Sequence, residues 1–243
     1  RWNINKKGEK IEESNPTTNF SELLEMVALV ASDLRIRFST SHPKDMTDDV
    51  IHTMNKHKNI CNYIHLPVQS GSSKILKKMN RGYNREWYLD RIQSIRKIIP
   101  DCAISTDIIT GFCDESQEDF KDTLSLMKKV KFDFSYMFFY SERPKTLAER
   151  KYEDNIPEKI KRTRLQKVID LQREHSILSN NSCVGKVMEV LIDGVSKKSD
   201  LDLRGRNSEN HKVVFPRENA TIGTYVNVLI EKCTSATLIG KIV

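Results

Sequence analysis

The stretch HLPVQSGSSKILKKMNRGY, residues 65–83, changes character twice. It begins apolar, breaks at Gln69, Ser70, Gly71 and Ser72, and continues with Lys74, Lys77, Lys78 and Arg81 at helical spacing. An apolar run stopped by small polar residues and followed by a helical pattern predicts a β-strand, a tight turn and an α-helix. Two readings fit that turn. One is an ordinary βα connection whose helix shows a solvated charged face. The other is a ligand site at the carboxyl end of a strand, with a polyanion nearby.

The flanking sequence repeats the same unit. Leu23, Leu24, Val27 and Val30 recur at helical spacing, and LRIRFSTSHP is a short β-type run ended by Pro43. Thr47 is placed to cap DDVIHTMNKH, and NYIHLPV is the next strand. Asn84 is placed to cap REWYLDRIQSIRKII, which Pro100 stops. CAISTDIITGF is a third strand, and Ser116 with Asp119 forms a capping-box pattern for the helix after it. FDFSYMFFY is a fourth strand, and Pro157 opens a long helix to about Leu178. Such alternation predicts parallel strands with crossover helices, in an open doubly wound sheet or a (β/α) barrel. In either, ligands bind where the strands end. Here those ends are STSHP, VQSGS, ITGFCDES and YSERPKT. From residue 179 to 243 the texture changes to short β-rich runs split by Gly, Asn, Asp and Ser, which predicts a small all-β barrel.

Composition narrows the function classes. The formal net charge is +7, and residues 74–97 hold eight cations against two anions. That concentration favours a polyanionic partner or a solvated helix face. The five cysteines are odd in number, scattered, and never in a C-x-x-C pair, which argues against a disulfide framework or a zinc ribbon. No apolar run approaches the ~18 residues of a membrane-spanning helix. The opening RWNINKKGEKIEE lacks the pattern of a signal peptide, so a cytoplasmic protein without a membrane is expected.

Three strings carry a resemblance: HLPVQSGSSKILKKMNRGYNREWYLDRI, CAISTDIITGFCDESQEDFKDTLSLM and FDFSYMFFYSERPKTLAERK. They resemble the later part of the radical-SAM domain of the tRNA methylthiotransferases. Residues 179–243 resemble the TRAM domain of that family, an RNA-binding β-barrel. The fold this implies is α/β: a partial radical-SAM (β/α) barrel over residues 1–178, then a small all-β TRAM barrel over 179–243. The activity it implies is transfer of a methylthio group to carbon 2 of N6-isopentenyladenosine beside the tRNA anticodon. Sister enzymes act on threonylcarbamoyl-adenosine or on a ribosomal protein, and a non-catalytic RNA-binding remnant is the third option. The implied cofactors are S-adenosylmethionine and two 4Fe-4S clusters. The family's C-x-x-x-C-x-x-C motif does not occur in this chain, so the cluster ligands are expected upstream of Arg1 and no metal ligand is expected here. The stretch alone is then expected to be inert. The implied partners are a tRNA anticodon stem-loop and an electron donor for cluster reduction, with a monomeric protein.

Residue roles follow from the same resemblance and from strand alternation. Arg35, Arg37 and Ser39 share one face, as do His65, Pro67 and Gln69. Arg37 is expected at the methionyl carboxylate, where a guanidinium fork suits a carboxylate. Ser39, Gln69 and Ser70 are expected around the ribose and methionyl groups, and His65 as a core histidine. Asp107, Thr110 and Gly111 are expected along the adenine, with Ser141 on the next rim segment. Lys77, Lys78, Arg81 and Arg143, with Arg204, Arg206 and Lys212 of the small barrel, are expected to face tRNA. No residue is assigned a catalytic role. Where the family pattern is GFPGE this chain has GFCDE, and Lys145 replaces a glycine, which puts both loops' geometry in question.

Overall fold

A computed structural model describes residues 18–39 and 42–243. Two units follow one another. The first alternates helices with parallel strands, in the order α1 (Phe20–Ala28), α2 (Asp48–Lys56), β1 (Tyr63–His65), α3 (Ser73–Lys78), α4 (Arg85–Ile98), β2 (Ala103–Thr110), α5 (Gln117–Val130), β3 (Phe134–Phe139), α6 (Leu147–Lys151) and α7 (Glu158–Asn181). The strands form one parallel sheet in the order β1-β2-β3. The expected strand at LRIRFS is reduced to one bridge, Ile36 to Ile60. Ile36 donates to Asn59 O and accepts from Cys61 N. Pairing stops there, and Arg35 and Arg37 on either side are bonded to the second unit.

One face of the sheet is the core. Ile64, Leu66, Val68, Ile104 and Ile108 pack against Val50, Ile51 and Met54 of α2, Tyr88, Ile92 and Ile95 of α4, Phe120 and Leu126 of α5, and Val168 of α7. Each such side chain contributes about 1.5–3 kcal/mol by leaving water. The helix starts are set locally. Asn84 Oδ1 accepts from Trp87 N at 2.9 Å. Ser116 and Asp119 form the full capping box. Thr47 occupies the cap position of α2 but makes no side-chain cap bond. Pro157 stands at the cap position of α7 itself, and that helix runs on through Asn181.

The expected small barrel is present and closed, in the order β4 (Val187–Val195), β5 (Asp202–Arg206), β6 (Lys212–Pro216), β8 (Leu238–Ile242) and β7 (Tyr225–Cys233). Closure removes free sheet edges. Its interior is Val190, Ile192, Leu203, Val213, Phe215, Val228, Ile230 and Leu238.

The QSGS turn is fixed from behind by α5. Gly71 lies so close to that helix that a Cβ would sit 2.5 Å from Asp122 O. Gly71 N donates to Thr123 Oγ1 at 3.0 Å, and Ser72 Oγ to Asp119 Oδ1 at 2.6 Å. Lys74 Nζ and Ser116 N each reach Asp119 Oδ2 at 2.9 Å. Burial alone would raise the Asp119 carboxyl, but the bonds from Ser72, Lys74 and Ser116 outweigh it and hold the group far below the usual carboxylate range.

The two units are bracketed by arginines. Arg35 donates to Arg206 O at 2.8 Å and to Glu189 Oε1 at 2.6 Å, with its guanidinium 4.7 Å above the Tyr225 ring. Arg37 donates to Asn207 O at 2.7 Å and to Asn210 Oδ1 at 2.8 Å. Asn62 N and Ser208 Oγ, and Tyr225 OH and Asp33 O, close the seam at 2.9 Å each.

Two outcomes follow from these contacts. A carboxyl depressed in the folded state stabilises fully above its unfolded pKa of about 3.9 and loses that contribution as pH falls toward the folded value. Wild-type urea midpoints should therefore fall steeply below about pH 4, whereas Asp119→Asn should start about 1–3 kcal/mol less stable at pH 7 and lose much less on acidification. Arg35→Ala leaves Glu189 in solvent and removes three contacts across the seam. Calorimetry should show one transition for the wild type and two for the variant, and the same profile for both would contradict the bracket.

Candidate active site

β2 is the middle strand, and its register sets the site. Ser105, Asp107 and Ile109 point away from the helices, beside Phe134, Tyr136 and Phe138 of β3 respectively. On the other side His65 of β1 stands next to Ser105. After β1 the chain keeps following β2: Gln69 N donates to Asp107 O and Ile109 N to Gln69 O, each at 2.9 Å. Gln69 does so in the left-handed region, at φ 73°. A non-glycine there is a strained choice, of a kind that clusters at functional sites. It leaves the Gln69 amide 3.5 Å from Asp107 Oδ2.

These side chains lie in one polar row. Tyr63 OH and His65 Nδ1 both meet Ser105 Oγ, at 2.6 and 2.8 Å. On its other side the His65 ring turns Nε2 toward Asp107 Oδ1 at 3.4 Å. His65 belongs to this polar face and is not the core histidine expected. The available signal was its period-two spacing with Tyr63 and Gln69.

Asp107 and Gln69 open into a cleft of about 650 Å³ shared with Ile109, Phe138, Ser141 and Arg143. That volume is in the range of small-molecule sites. The GFCDE loop beside it is pinned at both ends of its turn. Gly111 has φ +69°, and a Cβ there would lie 2.3 Å from Lys161 Cγ. Its N–H donates to Glu115 Oε2 at 2.7 Å, and Arg164 Nη1 donates to the same oxygen at 2.7 Å. Burial raises the Glu115 carboxyl, against the opposing pull of these two donors. Lys161 ties the end of β3 in turn, donating to Tyr140 O and to both oxygens of Asp154.

The structure brings the expected cofactor residues Gln69, Asp107 and Ser141 together with Arg143, expected at tRNA, and sets the other expected cofactor residues outside this cleft. Ser70 is fully buried against Thr123, because the turn is clamped to α5. Thr110 is fully buried on the helix side, 3.5 Å from Phe138 O. Gly111 serves the loop through its backbone. Arg37 is engaged with Asn207 and Asn210 of the small barrel and does not reach the cleft; the bracket claims its guanidinium. Ser39 is exposed on the segment leading to that bracket.

The cationic stretch also differs from expectation. Lys74 pairs with Asp119 and Lys78 with Asp114. Arg81 donates to Pro67 O at 3.2 Å, Arg85 to Gly71 O at 3.0 Å and Arg91 to Met46 O at 3.0 Å. Most of this charge is committed to neighbouring carboxylates and carbonyls, while Lys77 stays exposed. In the small barrel Arg204 pairs with Asp193 at 3.0 Å. Arg206 lies 3.9 Å from the same carboxylate and donates to Asn210 O at 3.0 Å, and with Lys212 it lines a second cleft, of about 240 Å³, beside Tyr63, Phe134 and Tyr136.

The cysteines do not fit an iron–sulfur cluster. Among the described residues no three His, Cys, Asp or Glu side chains converge on a point where a metal could sit. Burial pushes the Cys102 thiol up to about 12 and raises those of Cys113 and Cys183. A buried thiol kept protonated is a poor ligand. The Asp107–Gln69–Ser141 cleft, by contrast, offers a carboxylate acceptor, an amide and a hydroxyl, a set that suits the ribose hydroxyls and ammonium of S-adenosylmethionine.

Comparison with known proteins bears on the domains. The Radical SAM superfamily model matches residues 12–127, and the TRAM domain model matches residues 181–243. A protein of Amoebophilus asiaticus named tRNA-2-methylthio-N(6)-dimethylallyladenosine synthase is 56% identical over 245 residues, covering 100% of this chain and 50% of that protein. A protein of the same name from Christiangramia forsetii is 58% identical over 224 residues, covering 92% of this chain and 47% of its own length. The chain thus spans about half the length of the curated relatives it matches. Among solved structures, "Coproporphyrinogen III oxidase (HemN) from Escherichia coli is a Radical SAM enzyme" aligns with a TM-score of 0.52 at 17% identity, over 78% of this chain and 50% of that one. At that identity the likeness speaks to fold alone. The Radical SAM match takes in β1 and β2 of the parallel sheet and the TRAM match takes in the closed barrel, in that order along the chain: the chain carries part of a radical SAM domain followed by a TRAM domain.

Proposed function

We propose that this chain is part of a tRNA methylthiotransferase, which places a methylthio group on carbon 2 of N6-isopentenyladenosine beside the anticodon. The observation that carries this reading is the 51–58% identity, along nearly the whole chain, to proteins of that one printed name. A parallel sheet with a cleft at its strand ends, followed in the chain by a closed barrel, supports it. The carbon to be modified bears an aromatic C–H with no acidic proton. When bound, S-adenosylmethionine supplies the radical chemistry that such a position requires.

This chain's own residues bind and orient. Asp107 accepts hydrogen bonds from the cofactor, with its free lone pairs aimed by His65 and Gln69. Ser141 adds a hydroxyl to the opposite wall. Arg143 stands at the mouth of the cleft as a cation for a phosphate. The TRAM domain holds an anticodon stem-loop through Arg206 and Lys212, and the target base leaves its stack to enter the cleft. We assign the two 4Fe-4S clusters to ligands outside this stretch, with an external electron donor, and place the whole as a monomer in the cytoplasm. Among the described residues no helix is long and apolar enough to cross a membrane.

In the full-length protein, Asp107→Asn should weaken S-adenosylmethionine binding about tenfold or more, since one charged hydrogen-bond acceptor contributes about 1.5–3 kcal/mol. Arg37→Ala should leave it within about twofold. Equilibrium binding with both variants checks the assignment, and the reverse ranking would restore Arg37 to the cofactor. Mass spectrometry of tRNA from a strain lacking the gene should show loss of the 2-methylthio group with the isopentenyl group retained. Loss of a threonylcarbamoyl-linked methylthio group would identify the sister activity.

A further inference from the structure

We propose that Thr106 is a positioning residue: its hydroxyl fills a β-bulge in the chain after β1, and that bulge holds Gln69 in the conformation that aims its side chain into the cleft. The inference rests on the reading of that cleft as the S-adenosylmethionine site and adds a buried residue that acts through Gln69.

The bulge shows in the register. His65 pairs with Ser105, and four residues later Gln69 pairs with Ile108, only three residues beyond Ser105. The chain after β1 therefore carries one residue more than the strand beside it, which is a β-bulge. A side chain paired with Ile108 would ordinarily follow Ile108 into the core. Gln69 instead meets Asp107 on the other face, and its φ of 73° marks where the backbone turns it. Bulges of this kind re-aim side chains beside active sites.

Thr106 occupies the gap from the core side. Its Oγ1 accepts from Val68 N at 3.0 Å and donates to Leu66 O at 2.9 Å. One hydroxyl thus stands in for the ladder bonds that the extra residue displaces. Thr106, Leu66 and Val68 are all fully buried. Pro67 between them has no N–H to satisfy. The carbonyls are held as well. Tyr83 OH lies 3.1 Å from Pro67 O and 3.2 Å from Val68 O, and Tyr88 OH donates to Leu66 O at 2.8 Å. A left-handed glutamine persists only where its surroundings over-determine it. Here Thr106, Tyr83 and Tyr88 do so without lining the cleft themselves.

The test uses the full-length protein, with equilibrium binding of S-adenosylmethionine and amide hydrogen exchange as the two readouts. Thr106→Val keeps the shape of the side chain and removes the hydroxyl, leaving Val68 N without its acceptor. It should weaken binding about tenfold and speed exchange at the Gln69 and Ile109 amides, which carry the bonds between the bulge and β2. Thr106→Ser restores the hydroxyl and should return both readouts to within about twofold of wild type. Gln69→Gly removes the side chain and tolerates the left-handed backbone, and it should weaken binding by itself. Adding Thr106→Val to Gln69→Gly should then cost no further affinity, because one residue acts through the other. Should Thr106→Val not fold, Tyr83→Phe in the same cycle gives the same decision. Wild-type affinity in Thr106→Val, or losses that add in full, would mean that the hydroxyl serves the buried amide alone; the proposal would fall and the cofactor reading would stand. Unchanged binding in Gln69→Gly would remove Gln69 from the cofactor site and the proposal with it.

Discussion

The position of β2 between two parallel neighbours is the constraint on which the rest depends. A central parallel strand must satisfy its backbone on both sides, so its register with β1 and β3 admits little slippage. Alternation then sends Ile104, Thr106 and Ile108 into the core and Ser105, Asp107 and Ile109 the other way. Because parallel strands all end on one side, Gln69, Asp107, Ser141 and Arg143 arrive at one cleft from three separate stretches of chain. A one-residue slip of β3 would turn its aromatic row into the helices and expose Ser135.

The connections behind the sheet are as constrained as the site. Gly71 and Thr123 press the turn after β1 onto α5, and Asp119 collects donors from Ser72, Lys74 and Ser116. This explains why small residues follow Val68: the turn needs a close approach to a helix more than it needs a ligand. The same logic governs the charge. Lysines and arginines that look like a nucleic-acid face in sequence cross from one element to another and end on Asp119, Asp114, Pro67 or Met46. Cross-element pairs of this kind contribute little individually when exposed, yet together they orient α3 and α4 over the sheet.

The seam between the units has a comparable effect on function. Arg35 and Arg37 flank the single bridging residue Ile36 and reach backbone oxygens of Arg206 and Asn207. Those two acceptors do not depend on the side chains of Arg206 and Asn207, while Glu189, Asn210 and Tyr225 add side-chain contacts. It holds the closed barrel beside Tyr63, Phe134 and Tyr136, so barrel cations and sheet aromatics line one cleft. A freely tethered barrel could not present a continuous surface to a partner.

Much of this was legible in residue order. Capping patterns at Asn84 and Ser116, the alternation of strands and helices, and the shift in texture near residue 179 each reflect interactions among residues close in the chain, which local sequence encodes directly. Asp107, Gln69, Ser141 and Arg143 stood out in the sequence because strand ends are predictable and polar residues at them are conspicuous, and the fold sets them around one cleft. What Ser70, Thr110 and Arg37 meet was not legible, for a different reason. Which way a side chain faces at a turn, and what a long cation finally meets, depends on elements distant in sequence: Thr123 for Ser70, Phe138 for Thr110, Asn207 and Asn210 for Arg37. His65 likewise gained its role only when Ser105 and Asp107 were brought beside it. Sequence by itself determined the elements and their order, since those follow from local propensity and periodicity. Tertiary structure alone decided which polar groups meet, because that depends on register and docking between segments far apart in the chain.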